Sequence, residues 1–122
     1  MNWSDKSILI AEDEDTNYML LSEYLEPTGA KIFRAHNGLE VIELYHKTSI
    51  DLLLLDMKMP MMSGFEAVRK IRENDDKLPI IAQTAYAMAG DKERIILAGC
   101  NDYIAKPIKE NVLFDKINAI FK

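Results

Sequence analysis

The sequence predicts an α/β domain in which five strand–helix units build one doubly wound parallel sheet, and three observations carry that prediction. Short β-type runs alternate with stretches of helical period; the run "LLLLD" at 52–56 shows no polar alternation; and Gly, Pro and Asn punctuate the junctions where helices end or open. Strands separated by helices run parallel and are covered on both faces, so Leu52 to Leu55 have no solvent side to keep polar.

In chain order, the first strand is expected over Ser7 to Ala11, and the helix over Thr16 to Glu26 is closed by Pro27 and Gly29. The second strand, Lys31 to Ala35, precedes a helix from Leu39 to Lys47. Asn37 and Glu40 have the spacing of a capping box there, and Val41, Leu44 and Tyr45 form its inward stripe. The third strand, Leu52 to Asp56, leads through a Pro60 loop to a helix over Phe65 to Arg72. The fourth strand spans Pro79 to Thr84, with a helix over Met88 to Ala98 ended by Gly99. The fifth, Asp102 to Ala105, is followed by a helix over Glu110 to Phe121 whose stripe is Leu113, Ile117 and Ile120.

At 122 residues the chain suits one core, and 1–122 is read as a single domain with a short lead-in over 1–6. Its 48% apolar and 29% charged residues are those of an ordinary globular domain. A net charge of −5 argues against a nucleic-acid partner, because phosphate backbones are bound through clustered Lys and Arg. No apolar run approaches the roughly 18 residues that span a bilayer, and no basic segment with a long apolar stretch opens the chain. A cytoplasmic domain without direct membrane contact is the expectation. Cys100 is the lone cysteine, which excludes an internal disulfide and a Cys-based zinc site, and His36 and His46 lack ligand spacing and read as surface residues.

In an open parallel sheet, chemistry gathers at the carboxyl ends of the strands. Glu12 and Asp13 follow the first strand, Asp56 ends the third, Thr84 ends the fourth, and Lys106 with Pro107 follows the fifth. Two carboxylates about 5 Å apart repel by roughly 3 kcal/mol at an effective dielectric near 20, so three together call for a neutralising cation. Hard oxygen donors with open positions favour Mg²⁺, whose remaining positions accept phosphate oxygens. A metal beside a lone carboxylate is equipment for phosphoryl transfer to Asp56, with Lys106 as counter-cation, Thr84 as hydroxyl donor and Ala85 leaving room for the group. Singly, each feature has a plain structural role: acids favour a helix N-terminus, Thr caps, Lys-Pro turns.

Jointly they carry a resemblance. From "ILIAEDE" through "DMKMPMMSGFEAVRKIR" and "PIIAQTAYA" to "GCNDYIAKPI", almost the whole chain resembles the receiver domain of two-component response regulators. The resemblance implies a flavodoxin-like sheet of order 2-1-3-4-5, with Asp56 as phosphoacceptor and Glu12 and Asp13 as the acidic pair holding Mg²⁺. It further implies the Lys58 backbone carbonyl as a metal ligand, Thr84 and Lys106 as the hydroxyl and lysine, Pro60 and Gly64 as loop residues, and a cis Lys106–Pro107 peptide. Glu12 stands where Asp is commoner, so its longer arm is expected to reach the metal through water. Tyr103 is implied as a switch coupled to Thr84, with half-buried strand packing as its plain alternative, and Lys58 and Tyr86 sit where the family tunes acyl-phosphate lifetime.

The texture is most similar to receivers carried by hybrid sensor histidine kinases, which would place the domain in the cytoplasmic part of a membrane-bound kinase; a stand-alone receiver is the other possibility. The resemblance implies a domain that is no stand-alone enzyme, catalyses only its own Mg-dependent phosphorylation and dephosphorylation, and exchanges phosphate with a histidine kinase or a histidine phosphotransfer domain. Asn17, Leu20 and Leu21 with Pro107 and Ile108 are the expected docking surface, with core packing the alternative for the leucines. Asp102 fits the paired charges of dimerising regulators, but the last helix lacks the arginine, so a monomer is expected. Two other Asp-chemistry or sheet-order readings fit less well. A haloacid dehalogenase-type phosphatase would need Thr or Val where Asn17 stands in "DEDTN", and a flavin module would need a hydroxyl-rich loop where Glu12 to Asp15 stand. A degenerate receiver serving only for docking would not need every chemical position filled.

Overall fold

The computed structural model describes residues 2–85 and 89–122. Five strands, β1 (Ser7–Ala11), β2 (Lys31–Ala35), β3 (Leu52–Asp56), β4 (Ile80–Thr84) and β5 (Asp102–Ala105), alternate with five helices. The helices are α1 (Asp15–Leu25), α2 (Gly38–Lys47), α3 (Gly64–Arg72), α4 (Ala89–Ala98) and α5 (Glu110–Phe121). All pairings are parallel, in the order β2-β1-β3-β4-β5.

Period-two alternation splits the sheet between two cores. Leu9, Leu53, Leu55, Ile80 and Ala82 pack with Val41, Val68, Ile71 and Ile95 of α2, α3 and α4. Ile8, Ile10, Leu52, Leu54, Ile81 and Ile104 pack with Leu21 and Leu25 of α1 and Leu113 and Ile117 of α5. Leu52 to Leu55 are all fully buried. Each such side chain contributes about 1.5–3 kcal/mol of transfer free energy, so the leucine run is the sheet's central stabiliser.

Boundaries differ from expectation by a residue or so, for identifiable reasons. Pro79 has no N–H to donate, so β4 starts at Ile80, although the Pro79 carbonyl still accepts from Leu53 N at 3.0 Å. α1 runs Asp15–Leu25 and tightens into a 3₁₀ turn over Glu26–Thr28 that closes on Gly29 at φ 80°. The capping box at α2 is half formed: Asn37 Oδ1 accepts from Glu40 N at 2.9 Å, but the Glu40 carboxylate turns to His36, accepting its N–H at 2.8 Å and lying 2.9 Å from its Nδ1. α3 has a cap the sequence reading did not name, Ser63 accepting from Glu66 N. The expected start of the fourth helix, Met88, lies outside the described residues.

The lead-in is anchored rather than loose. Trp3 is buried, its backbone N–H donates to the Thr28 carbonyl at 2.8 Å, and its ring meets Phe114 and Phe121 of α5 at 5.8 and 5.5 Å. Among the described residues no helix is long and apolar enough to cross a membrane.

Candidate functional site

At the carboxyl edge of the sheet, β1, β3, β4 and β5 surround a cleft of about 540 Å³ lined by Asp13, Asp56, Lys58, Pro60, Gln83, Thr84, Ala85 and Lys106. The chain arrives there by register. Asp56 continues the leucine run by one residue and pairs with Gln83 on β4, while Thr84 pairs with Ala105 one residue before Lys106. Acid, hydroxyl and amine therefore converge from distant stretches of sequence.

Asp56 is buried, and its two oxygens are separately engaged. Oδ1 accepts from Lys58 N at 3.0 Å, and Oδ2 lies 3.1 Å from Lys106 Nζ. Lys106 also lies 3.2 Å from Glu12 Oε1, so one ammonium bridges two carboxylates. Burial by itself would lower the Lys106 pKa. The hydrogen bond and charge of Asp56, reinforced by Glu12, more than offset that, and the net direction is upward.

Glu12, Asp13 and Asp56 each offer an oxygen within 4.8 Å of the others. Against three carboxylates stands one bridging ammonium, so the cluster keeps an excess of two negative charges when all are ionised. Hard oxygen donors with that excess suit a divalent cation such as Mg²⁺. The two members of the acidic pair are unlike. Asp13 is exposed toward the cleft, whereas Glu12 is fully buried and held by Asn17 Nδ2 and Lys106 at Oε1 and by Glu14 N at Oε2, 3.1 Å away.

The loop after Asp56 is shaped by close packing. A Cβ on Gly64 would lie 2.6 Å from Met57 Cα and 2.7 Å from the Asp56 carbonyl oxygen, so glycine is what lets α3 approach β3 this closely. Pro60 accepts from Met62 N at 2.8 Å, with Met61 between them at φ 71°. The Lys106–Pro107 peptide is cis. Thr84 is buried and Ala85 exposed, both at the cleft. Tyr103 is half-buried, with Lys92 and Lys116 nitrogens 5.1 and 5.3 Å from its ring centroid. Tyr86 lies outside the described residues.

Three expected docking residues, Leu21, Ile108 and Asn17, are placed differently. Leu21 is fully buried between α1 and the sheet and Ile108 is 2% exposed, so both are core rather than contact surface. Leu20 is half-buried and Pro107 exposed, and both remain available. Asn17 points inward, bonding Glu12 and Gln83.

Sequence reasoning missed Gln83 and Arg34. Gln83 interrupts an apolar strand much as Asp56 does, which is the signal that could have found it. Arg34, on the edge strand, donates to the Glu12 carbonyl at 3.2 and 3.1 Å, pairs with Asp15 at 2.8 Å and stacks over Tyr18 at 4.4 Å. It ties the acidic loop to α1, and no local pattern announces it.

Comparisons with known proteins agree with this geometry. The sequence model of the family described as response regulator receiver domain matches residues 8–118. The polar-differentiation response regulator DivK of Brucella anthropi is 41% identical over 105 residues, covering 84% of this chain and 85% of the relative. A response-regulator receiver domain from Saccharomyces cerevisiae, solved with a histidine phosphotransfer signalling protein, superposes with TM-score 0.88 at 30% identity over 93% of this chain and 86% of the other. The receiver domain of a sensor histidine kinase from Pseudomonas aeruginosa, with magnesium coordinated in its active-site cleft, gives TM-score 0.87 at 32% identity over 96% and 98%.

Proposed function

The chain belongs to the response regulator receiver domain family, a phosphoacceptor in two-component signalling, and from that premise we propose that Asp56 is the acceptor and that residues 1–122 form one receiver domain. The observation that carries the assignment is the bridge from Lys106 to Asp56 Oδ2, inside a carboxylate cluster suited to a divalent cation.

In the transfer, an Asp56 carboxylate oxygen forms the new P–O bond while the P–N bond of a donor phosphohistidine breaks and the imidazole keeps the electron pair. The product is an acyl phosphate, and its reverse reaction or hydrolysis ends the signal. Asp13, Asp56, Glu12 and the Lys58 carbonyl are the residues that would hold Mg²⁺, with Glu12 buried behind the exposed Asp13. When bound, Mg²⁺ supplies charge neutralisation to the incoming phosphoryl oxygens. Lys106, already beside Asp56 Oδ2, exchanges its carboxylate partner for a phosphoryl oxygen, and Thr84 donates its hydroxyl to the same group. Both cost little motion because both side chains already line the cleft. The added charge is the input to a Thr84–Tyr103 switch on the face of α4, β5 and α5.

A histidine kinase or histidine phosphotransfer domain is the proposed partner, supported by the receiver solved with such a protein. Its docking surface comprises Leu20, beside the exposed Met19, together with Pro107. The unphosphorylated chain is proposed to be a monomer, since Asp102 is already engaged by Lys116 of the same chain at 3.0 Å. Incubation with Mg²⁺ and acetyl phosphate should add the mass of one phosphoryl group, and Asp56→Asn should abolish the gain. Equal labelling of the variant, or labelling elsewhere, would overturn the assignment.

A further inference from the structure

Gln83 is 1% exposed, pairs in register with Asp56, and lies at the wall of the same cleft. Its Oε1 accepts from Asn17 Nδ2 at 3.1 Å, while its Nε2 has no hydrogen-bond partner among the described residues. An unpaired buried amide donor carries a desolvation cost that a leucine of similar volume would not, so the position is a poor choice for packing alone. The Asn17 amide has two protons, and both are directed: one to Gln83 and one to Glu12 Oε1. That same Oε1 faces Lys106 Nζ at 3.2 Å. Gln83 thus pins Asn17, and Asn17 pins the buried carboxylate at the back of the acidic cluster.

We propose that Gln83 is a positioning residue for the divalent-cation site, acting through Asn17 to fix the Glu12 carboxylate and so setting the affinity for Mg²⁺. The inference rests on the reading of the cluster as a Mg²⁺ site given above. Groups that hydrogen-bond a ligating carboxylate typically change metal affinity by about 10–100-fold when removed, and a brace acting at one remove belongs at the lower end.

The test is a Mg²⁺ titration of the full chain followed by the amide shift of Lys58, whose N–H reports on Asp56 Oδ1. Asn17→Ala and Gln83→Leu should each weaken Mg²⁺ on the order of 10-fold. Because one residue acts through the other, the double variant should bind no more weakly than Asn17→Ala alone. Without Mg²⁺, Gln83→Leu should melt no lower than the native chain, since it removes the unpaired donor. Gln83→Met makes the same comparison should the leucine variant fail to fold. Mg²⁺ affinity within about twofold of native in both Gln83 variants, or effects that multiply in the double variant, would overturn the inference. A native chain that shows no Mg²⁺ response would instead sink the reading of the site itself.

Discussion

Lys106 serves two carboxylates with one ammonium, and its behaviour sets the resting state of the site. Its folded pKa is raised, so the stabilisation it contributes is complete below the unfolded value of about 10.4 and is lost as pH climbs through the higher folded value. The stability difference between the native chain and Lys106→Met, followed by urea melts, should therefore be flat through neutral pH and shrink only above about pH 10. A difference that vanishes near neutrality would exclude this ion pair as the source. Asp13 makes the opposite contribution, adding a charge to a cluster that already has an excess of like charge. At an effective dielectric near 20 the repulsion across 4.8 Å is roughly 3 kcal/mol, and exposure of Asp13 reduces this to about 1 kcal/mol. Asp13→Ala should melt higher than the native chain without Mg²⁺ and lose the stabilisation that Mg²⁺ confers. An unchanged metal response in that variant would remove Asp13 from the site.

At the scale of elements, the loop between β3 and α3 carries a buried strand out to the wall of the cleft. Gly64 is the point of closest approach in this loop, where the two nearest atoms to an added Cβ are backbone atoms of Met57 and Asp56, which cannot yield as a side chain would. Gly64→Ala should destabilise by about 1–3 kcal/mol, because neither strand nor helix can withdraw without repacking the core. Its acetyl-phosphate labelling should fall as well, since the displaced carbonyl belongs to Asp56, the proposed acceptor. A variant that melts and labels like the native chain would show that α3 can move freely. The capping at α2 makes a smaller lesson of the same kind. Asn37 and Glu40 were legible as a box, but Glu40 is drawn to His36, which offers both a backbone N–H and a ring nitrogen. Local spacing marks the helix start, and the neighbours in space choose the partner.

For the whole molecule, two cores on either side of one sheet hold the cleft open at the carboxyl edge. With Asp102 satisfied within the chain, light scattering in the absence of phosphate donor should return the mass of one chain, 14.0 kDa. A dimer at micromolar concentration would mean that Lys116 releases Asp102 to a second copy. The element order, the buried leucine run, the strand-end acids, Thr84 and Lys106 were all determined by the sequence alone. Period, punctuation and residue type act over a few neighbours and are legible without coordinates. Which oxygen of Asp56 meets Lys106, the inward turn of Asn17, the burial of Leu21 and Ile108, and the chain from Gln83 to Glu12 were decided only by tertiary structure. The hydrogen bonds among them join residues as many as 66 positions apart, through packing directions that no local pattern encodes.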